Sequence, residues 1–87
     1  MNKENVRELL EYMMYEEFPT FNDAIKYLEN NGLKITRHNE EKKVIFFKDK
    51  NGTEYFVEVY PLIVITEYGF DEVFQTTNYG YKQDYRR

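Results

Sequence analysis

The stretch from Val44 to Tyr60, VIFFKDKNGTEYFVEVY, constrains the fold more than any other part of the chain. Asp49-Lys50-Asn51-Gly52 separates two runs rich in β-branched and aromatic residues, the signature of a β-hairpin. Two turns compete. A two-residue turn at Asn51-Gly52 would set Asp49 directly against Glu54, and like charges facing each other across a ladder are unfavourable. A type I turn that starts at Asp49 and ends on a left-handed Gly52 pairs Lys48 with Glu54, Phe47 with Tyr55, Phe46 with Phe56 and Ile45 with Val57. Each favourable pair contributes roughly 0.2–1 kcal/mol, so together they select the second register.

Strand alternation then puts Ile45, Phe47, Tyr55, Val57 and Val59 on a core face. Val44, Phe46, Lys48, Glu54, Phe56 and Glu58 fall on the other. Phe46 and Phe56 lie side by side on that outer face. Either the C-terminal segment covers them, or they form an exposed apolar patch used for binding.

The remaining residues read as cover for this hairpin. Val6, Leu9, Leu10, Met13 and Met14 recur at helical spacing, which predicts an amphipathic helix over residues 3–16 with Asn2 as its cap. Pro19 disfavours helical geometry at Phe18. Thr20 and Asp23 form an imperfect capping box for a second helix from Phe21 to Asn30, closed by Asn31-Gly32. Its apolar stripe is Phe21, Ala24, Ile25 and Leu28. Residues 33–37 alternate as a short first strand, and His38 to Lys42 form a polar turn. Pro61 cannot donate a ladder hydrogen bond. A tight turn at Tyr60-Pro61 is expected there, with a bent but continuous strand as the alternative. Residues 62–67 read as a fourth strand covered on both faces. Phe70, Val73 and Phe74 have helical spacing, with Asp71 and Glu72 in the first turn, so a short helix is expected; the same residues also fit a strand. The tail KQDYRR is expected to fray.

The expected fold is α+β in one small domain, residues 1–87. A two-helix unit (1–32) packs on an antiparallel sheet of three to four strands (33–67). A short C-terminal helix or irregular segment and a tail (68–87) follow.

Composition narrows the chemistry. There is no Cys and no Ser, so the two commonest nucleophiles of hydrolases are missing, as are disulfides and thiolate metal sites. His38 is the only histidine and cannot form a paired-His metal site. Glu16-Glu17 and Glu40-Glu41 are adjacent in sequence, so they do not converge as a dyad or metal cage. The four glycines are isolated, with no phosphate-cradling cluster. These features predict a non-enzymatic protein with no cofactor and no metal. The N-terminus is charged, without an apolar leader, and the run Leu62-Ile63-Val64-Ile65 is far too short to span a membrane. A cytoplasmic protein is expected.

The net charge is −4, and residues 1–32 hold seven acids against three bases. That balance suits a basic protein surface better than a phosphate backbone. The expectation is a protein-binding module with Glu4, Glu8, Glu11, Glu16, Glu17 and Glu29 as candidate contacts. Phe46 and Phe56 join them if the outer face is open. Lys34, Arg37, Lys42, Lys43, Lys48 and Lys50 lie near aromatics in the sheet region, so a nucleic-acid platform is one alternative. Self-association through Phe46 and Phe56, giving a homodimer, is another. The richness in Lys, Asn, Tyr, Glu and Ile is what an AT-rich genome encodes, such as that of a low-GC bacterium or its phages. In general character the chain is similar to the small acidic inhibitor and immunity proteins of mobile elements. That likeness implies binding to a basic surface on a nuclease or toxin, and it transfers no site residues.

Overall fold

The computed structural model describes residues 3–86, with side chains from Asn5 onward. Helix α1 covers Lys3–Met13, strand β1 Glu17–Phe18 and helix α2 Phe21–Asn30. Strands β2 (Lys34–Asn39), β3 (Val44–Lys48), β4 (Glu54–Thr66) and β5 (Gly69–Tyr81) follow, and a 3-10 turn spans Lys82–Asp84. The fold is α+β: two helices with a five-stranded antiparallel sheet in the order β1-β5-β4-β3-β2. The sheet has one or two strands more than the three to four expected.

The β3–β4 hairpin has the register that charge pairing selects, with Lys48 opposite Glu54 and Ile45 opposite Val57. Gly52 has φ 83°, the left-handed conformation that closes the turn without a Cβ clash. Its N–H donates to the Asp49 carbonyl at 3.1 Å. The buried Asp49 carboxylate fastens the turn by accepting from the Asn51 and Thr53 N–H groups at 2.9 and 3.0 Å.

The predicted core face is buried throughout: Ile45, Phe47, Tyr55, Val57 and Val59 pack beneath Val6, Leu10 and Met13 of α1 and the whole stripe of α2. α1 ends three residues short of the expected boundary. Met14, Tyr15 and Glu16 tighten into turns, their N–H groups donating to Leu10, Glu11, Tyr12 and Met13. The chain is thereby freed to lay Glu17 and Phe18 along β5 as β1. Asn2, the expected cap, lies outside the described residues. α2 matches its expected span, and both halves of the Thr20–Asp23 capping box are present. The first strand runs on through Asn39, so His38 sits in an exposed strand position instead of a turn.

Three expectations for the C-terminal third are corrected. The chain does not turn at Tyr60-Pro61; β4 continues through it to Thr66. The Val59 N–H donates to the Lys43 carbonyl at 2.8 Å, so alternate residues of β4 aim their backbone toward the β3 side. Pro61 is the next such residue and lies just past the end of β3, where its missing N–H breaks no ladder bond. The expected helix at Phe70 is instead part of β5. A thirteen-residue β4 needs a partner for its backbone, and pairing with β5 supplies it from Tyr55–Tyr81 to Thr66–Gly69. Finally, the tail does not fray at Tyr85. Its ring packs on Phe46 and Phe56, with centroids 5.1 and 5.2 Å away, and Lys82 pairs with Glu54 at 3.0 Å.

Candidate docking arm

β4 and β5 are long because their distal halves leave the body of the molecule. The pairs from Leu62–Val73 to Thr66–Gly69 form a two-stranded ribbon closed by a turn at Glu67-Tyr68. The Tyr68 N–H donates to Thr66 Oγ1 at 3.2 Å, and that hydroxyl donates to the Gly69 carbonyl at 3.3 Å. Gly69 has φ 130°, which no residue with a side chain adopts cheaply. β3 stops at its pairing with Glu58, and β1 reaches only Phe74 and Gln75. Both edges of the ribbon are therefore open.

The arm is apolar where solvent would favour polar residues. Ile63 is 58% exposed, Ile65 78%, Phe70 74% and Tyr68 95%, with Leu62 at 41%. The register sets Ile65 opposite Phe70 and Ile63 opposite Glu72. By strand alternation Ile63 and Ile65 lie on the same side of the sheet as Val59, the side the helices cover nearer the body. The core face thus runs on past the helices with nothing over it. Phe74 marks the boundary: half-buried, it meets Phe21 of α2 edge-on with ring centroids 6.3 Å apart.

Charge gives the arm a sign. Between Leu62 and Val73 there are three acids, Glu67, Asp71 and Glu72, and no base. All three are exposed. The opposite edge of the sheet is guarded differently. β2 carries exposed Lys34 and Arg37, and a bulge at Thr36 interrupts its ladder with β3. Charged residues and bulges are the usual means by which a sheet edge avoids pairing with another chain. The arm has no bulge, and its β5 edge sets the large apolar Phe70 beside Asp71 and Glu72, charges of the sign opposite to those on β2.

The candidate residues chosen from sequence fall in several places. Glu8 and Glu11 are exposed on α1 beside Tyr12 and Tyr15, and the Tyr79 hydroxyl donates to Glu11 at 3.4 Å. Glu16 lies near Tyr27, whose hydroxyl pKa is raised first by burial and then by that carboxylate. Glu17 pairs with Gln75 in β1, and Glu29 is exposed on α2. The Glu4 side chain lies outside what is described. Phe46 and Phe56 are only 8% and 4% exposed, sealed under Tyr85. Tyr85 covers these two rings, so they do not form the exposed apolar patch that self-association through them requires, while Lys34, Arg37, Lys42 and Lys50 of the nucleic-acid alternative stand exposed.

Sequence reasoning did not single out the arm. Leu62 to Ile65 reads as apolar and strand-forming, a pattern that predicts cover on both faces, and the structure leaves it open. Among the described residues no cluster of three or more His, Asp or Glu side chains could hold a metal ion, and no helix is long and apolar enough to cross a membrane. No protein-family model, curated protein or solved structure matches the chain.

Proposed function

We propose that the protein is a non-enzymatic binding module that inhibits or regulates another protein by docking the β4–β5 arm on an apolar surface rimmed with Lys and Arg. The observation that carries this reading is the run of five exposed apolar side chains on an unsupported ribbon flanked only by acids. Ile63, Ile65 and Phe70 share one face of the ribbon, and burying an exposed apolar patch of this kind supplies affinity while Glu67, Asp71 and Glu72 select a basic rim. The acidic helices add a long-range field of the same sign, which speeds encounter with a basic partner. A nuclease or toxin with a cationic active surface fits that description.

The test is affinity capture at low and high salt with the native chain and with the double variant Ile65→Ser, Phe70→Ser. Both side chains are solvent-facing, so the variant keeps the fold. The expected result is one partner, held more weakly at high salt and lost by the variant. A partner held equally by native and variant chains would overturn the assignment of the arm.

A further inference from the structure

We infer that the partner contributes an extended segment of alternating apolar and basic residues, which adds as a strand to the free edge of β5 at Phe70 and Glu72. This deepens the docking role proposed for the arm and rests on it.

The backbone geometry selects the edge. In the register of β4 with β5, Leu62, Val64 and Thr66 face Val73, Asp71 and Gly69. Val59 points its N–H to the β3 side, so Leu62, Val64 and Thr66 point theirs toward β5. Their partners Gly69, Asp71 and Val73 point back, which leaves the N–H and C=O of Phe70 and Glu72 directed outward. The same parity continues at Phe74, which β1 occupies through Phe18. The edge is thus already a working template: two residues of the chain's own backbone use it, and the next two outward positions have no strand beyond them among the described residues. The β4 edge is a poorer template, because Pro61 there has no N–H to give.

Charge selects the occupant. A strand on β5 faces Asp71 on one side of the sheet and Glu72 on the other. In an alternating strand, Lys or Arg opposite Asp71 leaves apolar residues on the other side, against Phe70 and the methylene stem of Glu72, and both make favourable cross-strand contacts. A second copy of the chain is a worse fit. Antiparallel pairing of two β5 edges that uses both outward residues sets Phe70 against Glu72 of the other copy, and Asp71 directly against its own counterpart. The β2 edge of another copy has the right charge, but the bulge at Thr36 breaks the run of pairing groups. Strand addition takes its affinity from main-chain hydrogen bonds and its specificity from alternate side chains, and this edge offers both.

The experiment measures amide hydrogen exchange by NMR on the full chain. The probes are a short synthetic peptide of alternating Lys and Val and, as control, one of alternating Glu and Val. The Lys-Val peptide is expected to slow exchange at Phe70 and Glu72 about tenfold or more, leaving the Glu-Val peptide without effect. Glu72→Pro removes an outward donor without touching the β4 ladder, and is expected to abolish the slowing at Phe70. Exchange at Phe70 and Glu72 unchanged by the Lys-Val peptide overturns the inference, as does equal slowing by both peptides. Slowing that appears with protein concentration alone assigns the edge to a second copy and also overturns it. Capture lost in the Ile65→Ser, Phe70→Ser variant alongside unslowed amides would leave the arm's docking role standing and remove only strand addition.

Discussion

The two halves of the β4–β5 hairpin are built from similar residues and meet opposite fates. Nearer the body, Tyr55, Val57 and Val59 are buried beneath two helices. Farther out, Ile63, Ile65 and Phe70 stand in solvent. Lengths explain the difference. α1 and α2 have eleven and ten residues, so each reaches ~15 Å at 1.5 Å per residue. β4 has thirteen residues and extends ~43 Å at ~3.3 Å per residue. The long dimension of the molecule, 45 Å, is about the length of that strand. Helices of this length cannot cover a strand of that length. The lesson is that burial follows from the reach of the covering layer as much as from the apolarity of the strand.

The sharpest contrast comes from one aromatic residue in each half. Phe47→Ala, in the fully buried face, is expected to cost about 3–5 kcal/mol of stability. Phe70→Ala, on the same side of the sheet but uncovered, is expected to change stability by less than about 0.5 kcal/mol. Urea unfolding of both variants measures this, and similar losses would erase the distinction. Gly80→Ala probes the other face of the covered half. A Cβ there would stand 3.0 Å from Phe56 Cε1, against a ring already held by Tyr85. Overpacking of this kind is expected to cost about 1–3 kcal/mol, read by the same unfolding curves. Thr20→Ala removes the cap of the helix that covers Phe74, at a cost of about 1 kcal/mol.

The smallest effect is confined to alkaline pH. The Tyr55 hydroxyl is pushed up to about 12 from 10.0, chiefly by burial and then by the Asp49 carboxylate. The folded state therefore holds this proton more tightly than the unfolded chain does. The resulting stability is fully present below pH 10 and is lost as pH rises from there toward 12. Tyr55→Phe is expected to flatten that part of the stability profile, as followed by circular dichroism against pH.

What could be read from sequence was what local chemistry decides. The Asp49–Gly52 turn and its flanking charges determine the hairpin register, and Thr20 with Asp23 marks where α2 begins. What could not be read was decided by distant partners. Phe70, Val73 and Phe74 satisfy helical spacing as well as strand spacing, and only the backbone demand of β4 breaks the tie. Pro61 looks like a terminator until Lys43 is seen to be the last residue bonding that side of β4. The sequence leaves Phe46 and Phe56 either covered or exposed, and a single ring, Tyr85, provides the cover. The exposure of the arm left no local trace, because an apolar run reads alike whether or not a helix reaches it.

Amide exchange along β4 in the free protein tests the division most directly. Phe56, Glu58, Leu62 and Val64 all direct their N–H groups toward β5, with a bulge at Thr77 separating the first two pairings from the last two. The account predicts that Leu62 and Val64 exchange about 100-fold or more faster than Phe56 and Glu58, because an uncovered two-stranded ribbon opens locally while the covered half opens only with the whole domain. Equal protection at all four would mean that the arm is as firmly held as the core, and would contradict it.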